Sequence, residues 1–315
     1  MNPLRNGLGV LTLVILAAGV AAQEGTLLRY QPSKEPLIYR KTHTMKQTQN
    51  VMDMKIITDT KQTEVEVWSV GVTDKKDLEI KAETKTLEVK AKIGPLGEYA
   101  FDSRKDDNDK GSALGAALTP LHERLANARP TYIVSDRGKI AKVEGLKELL
   151  DDVLKDNPLA KQFAAGGSEE AMKLGLTEYF PLLPEDRVSS GTRWEVPFEI
   201  SLDKFGKAKG KRVYVCEGEA TVGKRKTIKI SVATEMSFDL DLDVGEAKVS
   251  GKMSITDAKG TIHFDPKQGC VVSLNNEYTL SGDLNVTAGG MNIPVSSEQT
   301  QNLRLELLEK LPEEK

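Results

Sequence analysis

The sequence predicts an α+β fold dominated by antiparallel strands, either a strongly curved sheet or two duplicated β units. The arrangement is half-barrel-like, with a helical insertion packed on the concave face. Three observations predict it. Apolar and polar residues alternate with a period of two from Leu37 to Phe101 and again from Trp194 to Leu308, the mark of half-buried strands. Between those blocks leucines recur at helical spacing. Short polar turns join the alternating runs, which favours antiparallel neighbours with one wet face. Such sheets bury their apolar face against segregated helices.

In the first block, Val65 and Val67 alternate with Glu64 and Glu66 before Trp68. Leu78, Ile80 and Ala82 repeat the device, as do Leu87, Val89, Ala91 and Ile93, and Asp74 to Asp77 supplies the turn between two of these strands. In the middle, Leu114, Leu118, Leu121 and Leu125 share a helix face, with Thr119 and Pro120 expected to restart the helix as cap and first residue. Leu146, Leu149, Leu150, Val153 and Leu154 mark a second amphipathic helix. Asn157 and Pro158 open a third, which carries Leu159 and Phe163. Ser168, Glu169 and Glu170 open a fourth, and Pro181 and Pro184 close the helical zone.

Strands return around Val213 to Cys216, Thr227 to Ile230, Phe238 to Leu240, Thr261 to Phe264, Val271 to Leu280 and Met291 to Leu305. Turns are expected at Gly223, from Asp257 to Gly260, and at Gly269. The stretch Tyr132 to Ile140 and the stretch Ile262 to Val271 share one grammar of strand, Asp turn, Gly and strand. That echo favours an internally duplicated β unit over simple recurrence of a common hairpin.

The N-terminus carries an address. Arg5 precedes an apolar run from Leu8 to Val20, and Val20-Ala21-Ala22 offers small residues before Gln23. Charge, apolar run and small-residue exit define a secretory signal peptide, and the run is short of the roughly 20 residues a spanning helix needs. No Cys follows the run, so no lipid anchor is expected at the Ala22–Gln23 junction. The expected organisation is a signal at 1–22, a β unit at 23–111, a helical segment at 112–184 with a hairpin near 131–145, and a second β unit at 185–315. The last three form one continuous extracytoplasmic domain, periplasmic or secreted.

Composition narrows the function classes. Lys and Arg number 44 against 47 Asp and Glu, a net charge of -3 without the basic excess of a nucleic-acid binder. Aromatics make up 5%, too few for extensive stacking platforms. The two cysteines, Cys216 and Cys270, are able to bridge in an oxidising compartment, but the strands expected between them favour two separate buried thiols.

Candidate chemistry is sparse. The acidic loop from Asp102 to Gly111 has a Gly where a calcium loop would place one. Counted from Asp106, however, Lys110 falls at the fifth ligand position and Ala117 where a bidentate Glu belongs. His43, His122 and His263 lie on separate elements at no metal-ligand spacing, with His122 expected on the polar side of its helix. No Gly-x-Ser-x-Gly elbow occurs, and the glycines near Phe163 to Ser168 lack the Lys of a phosphate loop. No catalytic residue, metal site or cofactor is therefore assigned. Two binding surfaces are. One is the apolar stripe of Leu146, Leu149, Leu150, Val153, Leu154 and Phe163. The other is a cationic rim of Lys204, Lys207, Lys209, Lys211 and Arg212, joined by Lys224 to Lys226 if those hairpin ends are neighbours. Lysines at strand ends also keep sheet edges soluble.

The strand Leu27 to Tyr30, the Tyr99 to Ser103 stretch, the Tyr132 to Gly145 hairpin and the restart from Leu183-Pro184 through Val188 to Trp194 together form a pattern. It resembles a family of exported bacterial proteins known only as a domain of unknown function, over nearly the whole mature chain. That resemblance implies export and β-rich order and supplies no activity. A looser similarity is to lipoprotein-carrier-like half-barrels, which implies an apolar cavity for acyl chains between sheet and helices. The expected function is a non-catalytic envelope protein that holds an apolar or amphipathic, lipid-like ligand. The alternative is a structural or protein-interaction component of the envelope. A hydrolase assembled from distant residues, with His263 meeting carboxylates in a cleft, ranks last.

Overall fold

The computed structural model describes residues 25–52, 54–147, 149, 173, 175–201, 207–244 and 247–313. Its architecture is one antiparallel sheet of twelve strands with a helix packed on it. The N-terminal strands are β1 (Leu37–Val51), β2 (Met54–Val72), β3 (Leu78–Ile93), β4 (Gly97–Asp102), β5 (Thr131–Val134) and β6 (Ile140–Glu144). The C-terminal strands are β7 (Arg193–Ser201), β8 (Lys207–Val222), β9 (Arg225–Val244), β10 (Ala247–Asp265), β11 (Cys270–Ala288) and β12 (Met291–Leu308). The single helix with a continuous description, α1, spans Ala113–Ala126.

The spatial order is β6-β5-β3-β2-β1-β12-β11-β10-β9-β8-β7, with β4 also paired to β3. Each half is a meander of hairpins, and the halves join where β1 pairs with β12 from Ile38↔Leu308 to Val51↔Val295. The sheet curls so that side chains from both halves meet in one core. Tyr39, Trp68, Ile80 and Tyr132 from the first half pack with Tyr214, Ile230, Phe264 and Leu274 from the second. The register makes this possible, because Tyr39, Glu66, Leu305 and Leu274 occupy one face by period-two alternation. That face is the inner one.

The base of the curl is closed by the chain from Gly25 to Ser33. It is not the strand expected over Leu27 to Tyr30. Only Thr26 makes a bridge, to Val188, and the rest donates to two hairpin loops and, through Ser33 N–H, to the Val70 carbonyl of β2 at 3.1 Å. Tyr30 N–H bonds the Asp136 carbonyl at 2.7 Å and Gln31 N–H the Gly269 carbonyl at 3.1 Å. The two hairpins that echo each other in sequence thus converge on one strap, although they sit at different places in a single continuous sheet. Above it, Tyr30 meets Phe264 and Phe180 edge-on at 5.3 and 6.0 Å, and Trp68 stacks on Phe180 at 5.2 Å. The void left among Tyr39, Trp68, Phe180 and Leu305 is about 20 Å³, room for one water at most.

Helix α1 lies on the inner face of β3 and β4, where Leu114, Ala117 and Leu118 pack on Leu87, Val89, Tyr99 and Phe101. It does not restart at Pro120. Ser112 caps it by accepting from Gly115 N–H at 2.9 Å, and the helix runs through the proline. Pro120 removes one backbone bond, but burial of Leu118 and Leu121 on either side of it holds the turn in place. The acidic loop before α1 is occupied with its own backbone. Asp109 accepts from Gly111 and Ser112 N–H at 2.9 and 3.1 Å, and Asp102 pairs with Arg104 at 2.8 Å.

The C-terminal strands are longer than their separate apolar runs indicated. Thr227 to Ile230 and Phe238 to Leu240 belong to one strand of 20 residues. The expected turn at Asp257 to Gly260 is a bulge inside β10, between Thr256 and Lys259, with Asp257 at φ 52°. Cys216 and Cys270 are buried free thiols on β8 and β11. The expected signal segment lies outside the described residues, as do the third helix, the second beyond Leu149 and the opening of the fourth before Lys173. Among the described residues no helix is long and apolar enough to cross a membrane, which says nothing of strands.

The strap yields a stability prediction. Tyr30→Ala removes two edge-on ring contacts and a bond to the Pro181 carbonyl, and is expected to cost about 3–5 kcal/mol. Denaturant unfolding checks this, with Leu311→Ala at the exposed C-terminal end as a near-neutral control.

Candidate functional site

The inner face changes character along the strands. Next to the aromatic base it carries two buried ion pairs, one on each half of the sheet. On the first half, Lys41 is paired to Glu66 and lies 3.7 Å from Glu64. Trp68 Nε1–H donates to Glu66 at 2.5 Å and the Thr84 hydroxyl to Glu64 at 3.0 Å. The Lys41 ammonium also sits 4.9 Å from the Tyr179 ring centroid and 5.5 Å from that of Trp68. Burial opposes its charge, yet Glu66 and then Glu64 outweigh that and hold its pKa well above the ordinary lysine value. Two carboxylates share one ammonium, and Glu64 bears the consequence. Burial pushes its pKa up to about 7 against the pull of Lys41.

On the second half, Arg212 pairs with Glu178 and donates to the Thr177 hydroxyl at 2.7 Å. Asn276 Nδ2–H donates to the other Glu178 oxygen at 3.1 Å. The buried Asn276 Oδ1 has no hydrogen-bond partner among the described residues. It stands over Gly260, where a Cβ would approach it to 2.0 Å. Thr177 to Phe180 is therefore gripped from both halves, by Lys41 on Tyr179 and by Arg212 on Glu178. One row further out, the Tyr278 hydroxyl donates to Gln301 Oε1 at 2.9 Å, and His43 Nε2 lies 3.0 Å from the same oxygen.

Beyond that row, charge disappears from the inner face. Period-two alternation and the strand register place Met45, Gln47, Gln49 and Val51 of β1 there, opposite Thr60, Thr58, Ile56 and Met54 of β2. From β12 come Gln299, Ser297, Val295, Ile293 and Met291, and from β11 Leu280, Gly282, Leu284 and Val286. From β10 come Ile255, Met253, Gly251 and Val249, and from β9 Leu240. None of these is ionisable. The outer positions of the same strands carry Lys46, Lys55, Asp59, Lys61, Asp239, Asp241, Lys248, Lys252, Asp283 and Glu298. The C-terminal half of this face is aliphatic, and Leu240, Val249, Leu284 and Val286 are half-buried.

Four glycines in the C-terminal strands, Gly210, Gly251, Gly260 and Gly282, also point inward. A Cβ at Gly251 would meet Leu284, and one at Gly282 would meet the Met253 sulfur at 2.9 Å. At Gly210, Gly251 and Gly282 a Cβ would first meet a backbone carbonyl of the neighbouring strand, at 2.1, 2.4 and 2.0 Å, so these glycines allow close approach of strand backbones on the concave side.

A concavity of about 1010 Å³ lies on the opposite face. It is an open trough with Lys46, Lys61 and Lys90 interleaved with Asp59, Glu88 and Glu277. Both signs alternate across its strands, and among the described residues no group of His, Cys, Asp or Glu could hold a metal ion.

The residues singled out in sequence are distributed as follows. Leu146 packs against the main core and Leu149 is half-buried in a helix. Leu150, Val153, Leu154 and Phe163 lie outside the described residues, as does Lys204. Lys207, Lys209 and Lys211 are inside strand β8 and not on a hairpin tip, because the apolar alternation of β8 continues through them. Lys209 faces Glu199 at 3.7 Å, and Lys211 lies between Glu195 and Glu235 at 3.6 and 3.7 Å. Arg212 has the opposite parity, so it turns inward and is 8% exposed. Lys224 to Lys226 fall at the other end of the β8–β9 hairpin, since Val222 pairs with Arg225 while Lys207 pairs with Asp239. The two basic clusters are not neighbours.

His122 faces the sheet and not the polar side of α1. Its Nδ1 is 2.9 Å from the Tyr99 hydroxyl and its ring stacks on Tyr99, and burial lowers its pKa to about 4. His263 is on the outer face, 3.0 Å from the Ser273 hydroxyl. The Lys41, Glu64 and Glu66 cluster was missed in sequence. Its signal was a Glu at every second position of an otherwise apolar strand end, with Trp68 next in the same parity.

A family model, described as a family of unknown function (DUF6263), matches residues 75–271. This bears out the resemblance to a domain-of-unknown-function family. No curated protein matches the chain. Among solved structures, lipovitellin, from a study of its lipid–protein interactions, superposes with a TM-score of 0.44 and 12% identity over 90% of this chain. The chain spans 26% of that molecule. The β domain of the Bordetella autotransporter BrkA gives a TM-score of 0.21 at 8% identity, covering 87% of this chain and 100% of its own. A DUF1329 family protein from Desulfovibrio piger gives 0.14 at 8% identity, covering 87% of each chain.

The shared ammonium makes a pH prediction. Glu64 has a folded pKa above its unfolded value near 4.5, so its contribution to stability is full below about 4.5 and is lost as pH rises through about 7. Glu64→Gln leaves the Lys41–Glu66 pair one-to-one. It is expected to raise stability by about 1–3 kcal/mol at pH 8 and to change it little at pH 4.5. Urea unfolding at both pH values is the check. Equal effects at the two pH values would contradict the assignment.

Proposed function

This chain belongs to the DUF6263 family of unknown function, and we propose that it is an extracytoplasmic binding protein for an apolar or amphipathic, lipid-like molecule. The observation that carries the reading is the parity of charge along β1, β2 and β9 to β12. Ionisable residues occupy the outer positions, while the inner ones are uncharged from Met45 and Leu280 to the strand ends. A sheet that needed only solubility would have no reason to keep charge off one face. The base of the curl is too full to be the site, since its void of about 20 Å³ is far below the roughly 300 Å³ that a small ligand occupies. The ligand belongs further out, on the aliphatic rows between Leu280 and Val286, with its polar end toward Tyr278, Gln301 and the free Asn276 oxygen.

In this reading the leucine stripe from Leu146 to Phe163 is a second apolar contributor to ligand binding. The chain is exported by its Arg5 and Leu8 to Val20 segment and has no catalytic role. The cationic-rim alternative has less support, because Lys209 and Lys211 are each matched by carboxylates on neighbouring strands.

The test uses an environment-sensitive fatty-acid probe with purified protein. Leu280→Asp and Leu284→Asp each place a charge in the proposed path and are expected to weaken probe binding at least about tenfold, since an unpaired charge cannot be buried beside an acyl chain. Asn285→Asp, on the outer face of the same strand, is expected to leave binding unchanged. Equal binding by all three variants, or none by the parent protein, would sink the reading.

A further inference from the structure

The uncharged inner rows do not stop short of the hairpin tips. Val51 and Met54 close the β1–β2 hairpin in the inner parity, and Met291 opens β12 in the same parity opposite Ala288. The β11–β12 turn is two residues long, Gly289 and Gly290, with φ of 56° and 80°, the left-handed geometry that tight hairpins require. Met52, after the last residue of β1, has φ 52°.

What the tips display is apolar. Met52 and Met54 are each 63% exposed and Met291 62%, with Leu96 on the β3–β4 turn at 54% and Ile57 at 39%. These five are most of the large exposed hydrophobics among the described residues, and they gather at one end of the sheet. A side chain exposed at that level at a loop tip stabilises nothing in the fold. Strand edges and tips that must only stay soluble carry charge instead.

We propose that this end of the sheet, carried by Met52, Met54, Leu96 and Met291, docks on a lipid bilayer by inserting into its interface. Three features select a bilayer over a protein groove. The apolar groups are separate points on different hairpins, which a fluid leaflet accommodates one by one, while a rigid partner would need a continuous patch. Three of them are methionines, whose unbranched thioether chains adapt to an irregular apolar medium. The tips are also continuous with the uncharged inner face, so the contact opens onto the rows that lead to Tyr278. In that last respect the inference rests on the lipid-binding reading and deepens it, since an apolar ligand would then pass between bilayer and protein without crossing water. The charges that flank these residues are of both signs, Asp53 and Lys55 on either side of Met54 in the sequence and the paired Lys92 and Glu98 on either side of the β3–β4 turn, so the attraction is apolar and not electrostatic.

The experiment is flotation of the purified chain with vesicles of phosphatidylethanolamine and phosphatidylglycerol, with circular dichroism verifying each variant's fold. The parent protein is expected to float with the vesicles at low salt and equally at high salt. Combined Met52→Glu, Met54→Glu and Met291→Glu substitution is expected to weaken partition at least about tenfold. Val72→Glu, at the opposite end of β2, is expected to have no effect. Absence of flotation by the parent overturns the proposal, as does loss of flotation at high salt or equal flotation by the triple variant. A protein that captures the tips instead would leave the parent unfloated. Fatty-acid probe binding in vesicle-free solution keeps the two readings apart. Met52→Glu combined with Leu96→Glu, both on turns outside the inner rows, is expected to weaken flotation and to retain probe binding, and loss of probe binding in Leu280→Asp and Leu284→Asp with flotation intact bears on the ligand alone.

Discussion

The pairing of the first long strand with the last is the constraint on which everything else depends. β1 and β12 are separated by almost the whole sequence, yet they pair continuously from Ile38↔Leu308 to Val51↔Val295. Without that seam there are two meanders, each with a bare edge and half a core. With it, Tyr39 and Leu305 become adjacent, and the inner faces of both halves become one surface. Closing so long a loop is entropically costly and slow. Its return comes from the aromatic base, which neither half could build alone.

The same seam explains the polar groups inside. Thr177 to Phe180 crosses the inner face where the two halves approach, and its backbone and polar side chains must be satisfied there. Lys41 and Arg212 reach it from opposite halves, each with a carboxylate to balance its charge. Buried pairs of this kind are weak sources of net stability. Their effect here is positional, because a slip of one residue on β1 or β8 would turn Lys41 or Arg212 outward and strand its partner. The surplus carboxylate, Glu64, is tolerated because it can take up a proton near neutral pH.

Much of the fold was legible in the residues. Alternation from Leu37 to Phe101 and from Trp194 onward specifies strands, and Asp74 to Asp77, Gly223 and Gly269 mark real turns. The misreadings have physical sources. Pro120 is a helix breaker in isolation and is carried by packing in place. Asp257 to Gly260 has turn composition, but neighbours on both sides hold the chain in the sheet as a bulge. The inner face was half legible. On β9 the run from Phe238 to Asp243 alternates aliphatic with Asp, whereas on β1 the inner Gln47 and Gln49 differ from the outer Thr48 and Asn50 in nothing a hydropathy pattern detects. Only the register from β12 assigns them. Lys41 and Glu66 were hidden for the same reason, since a charged residue in an alternating strand reads as outward-facing until its cross-strand partners are known.

Native mass spectrometry of the protein purified from its own cells, before and after organic extraction, tests the central claim most directly. An uncharged inner face built for an apolar molecule predicts a reproducible excess mass on the folded protein that extraction removes and recovers as lipid. A protein at its bare sequence mass, unchanged by extraction and unable to regain mass when refilled from a lipid extract, would contradict the claim.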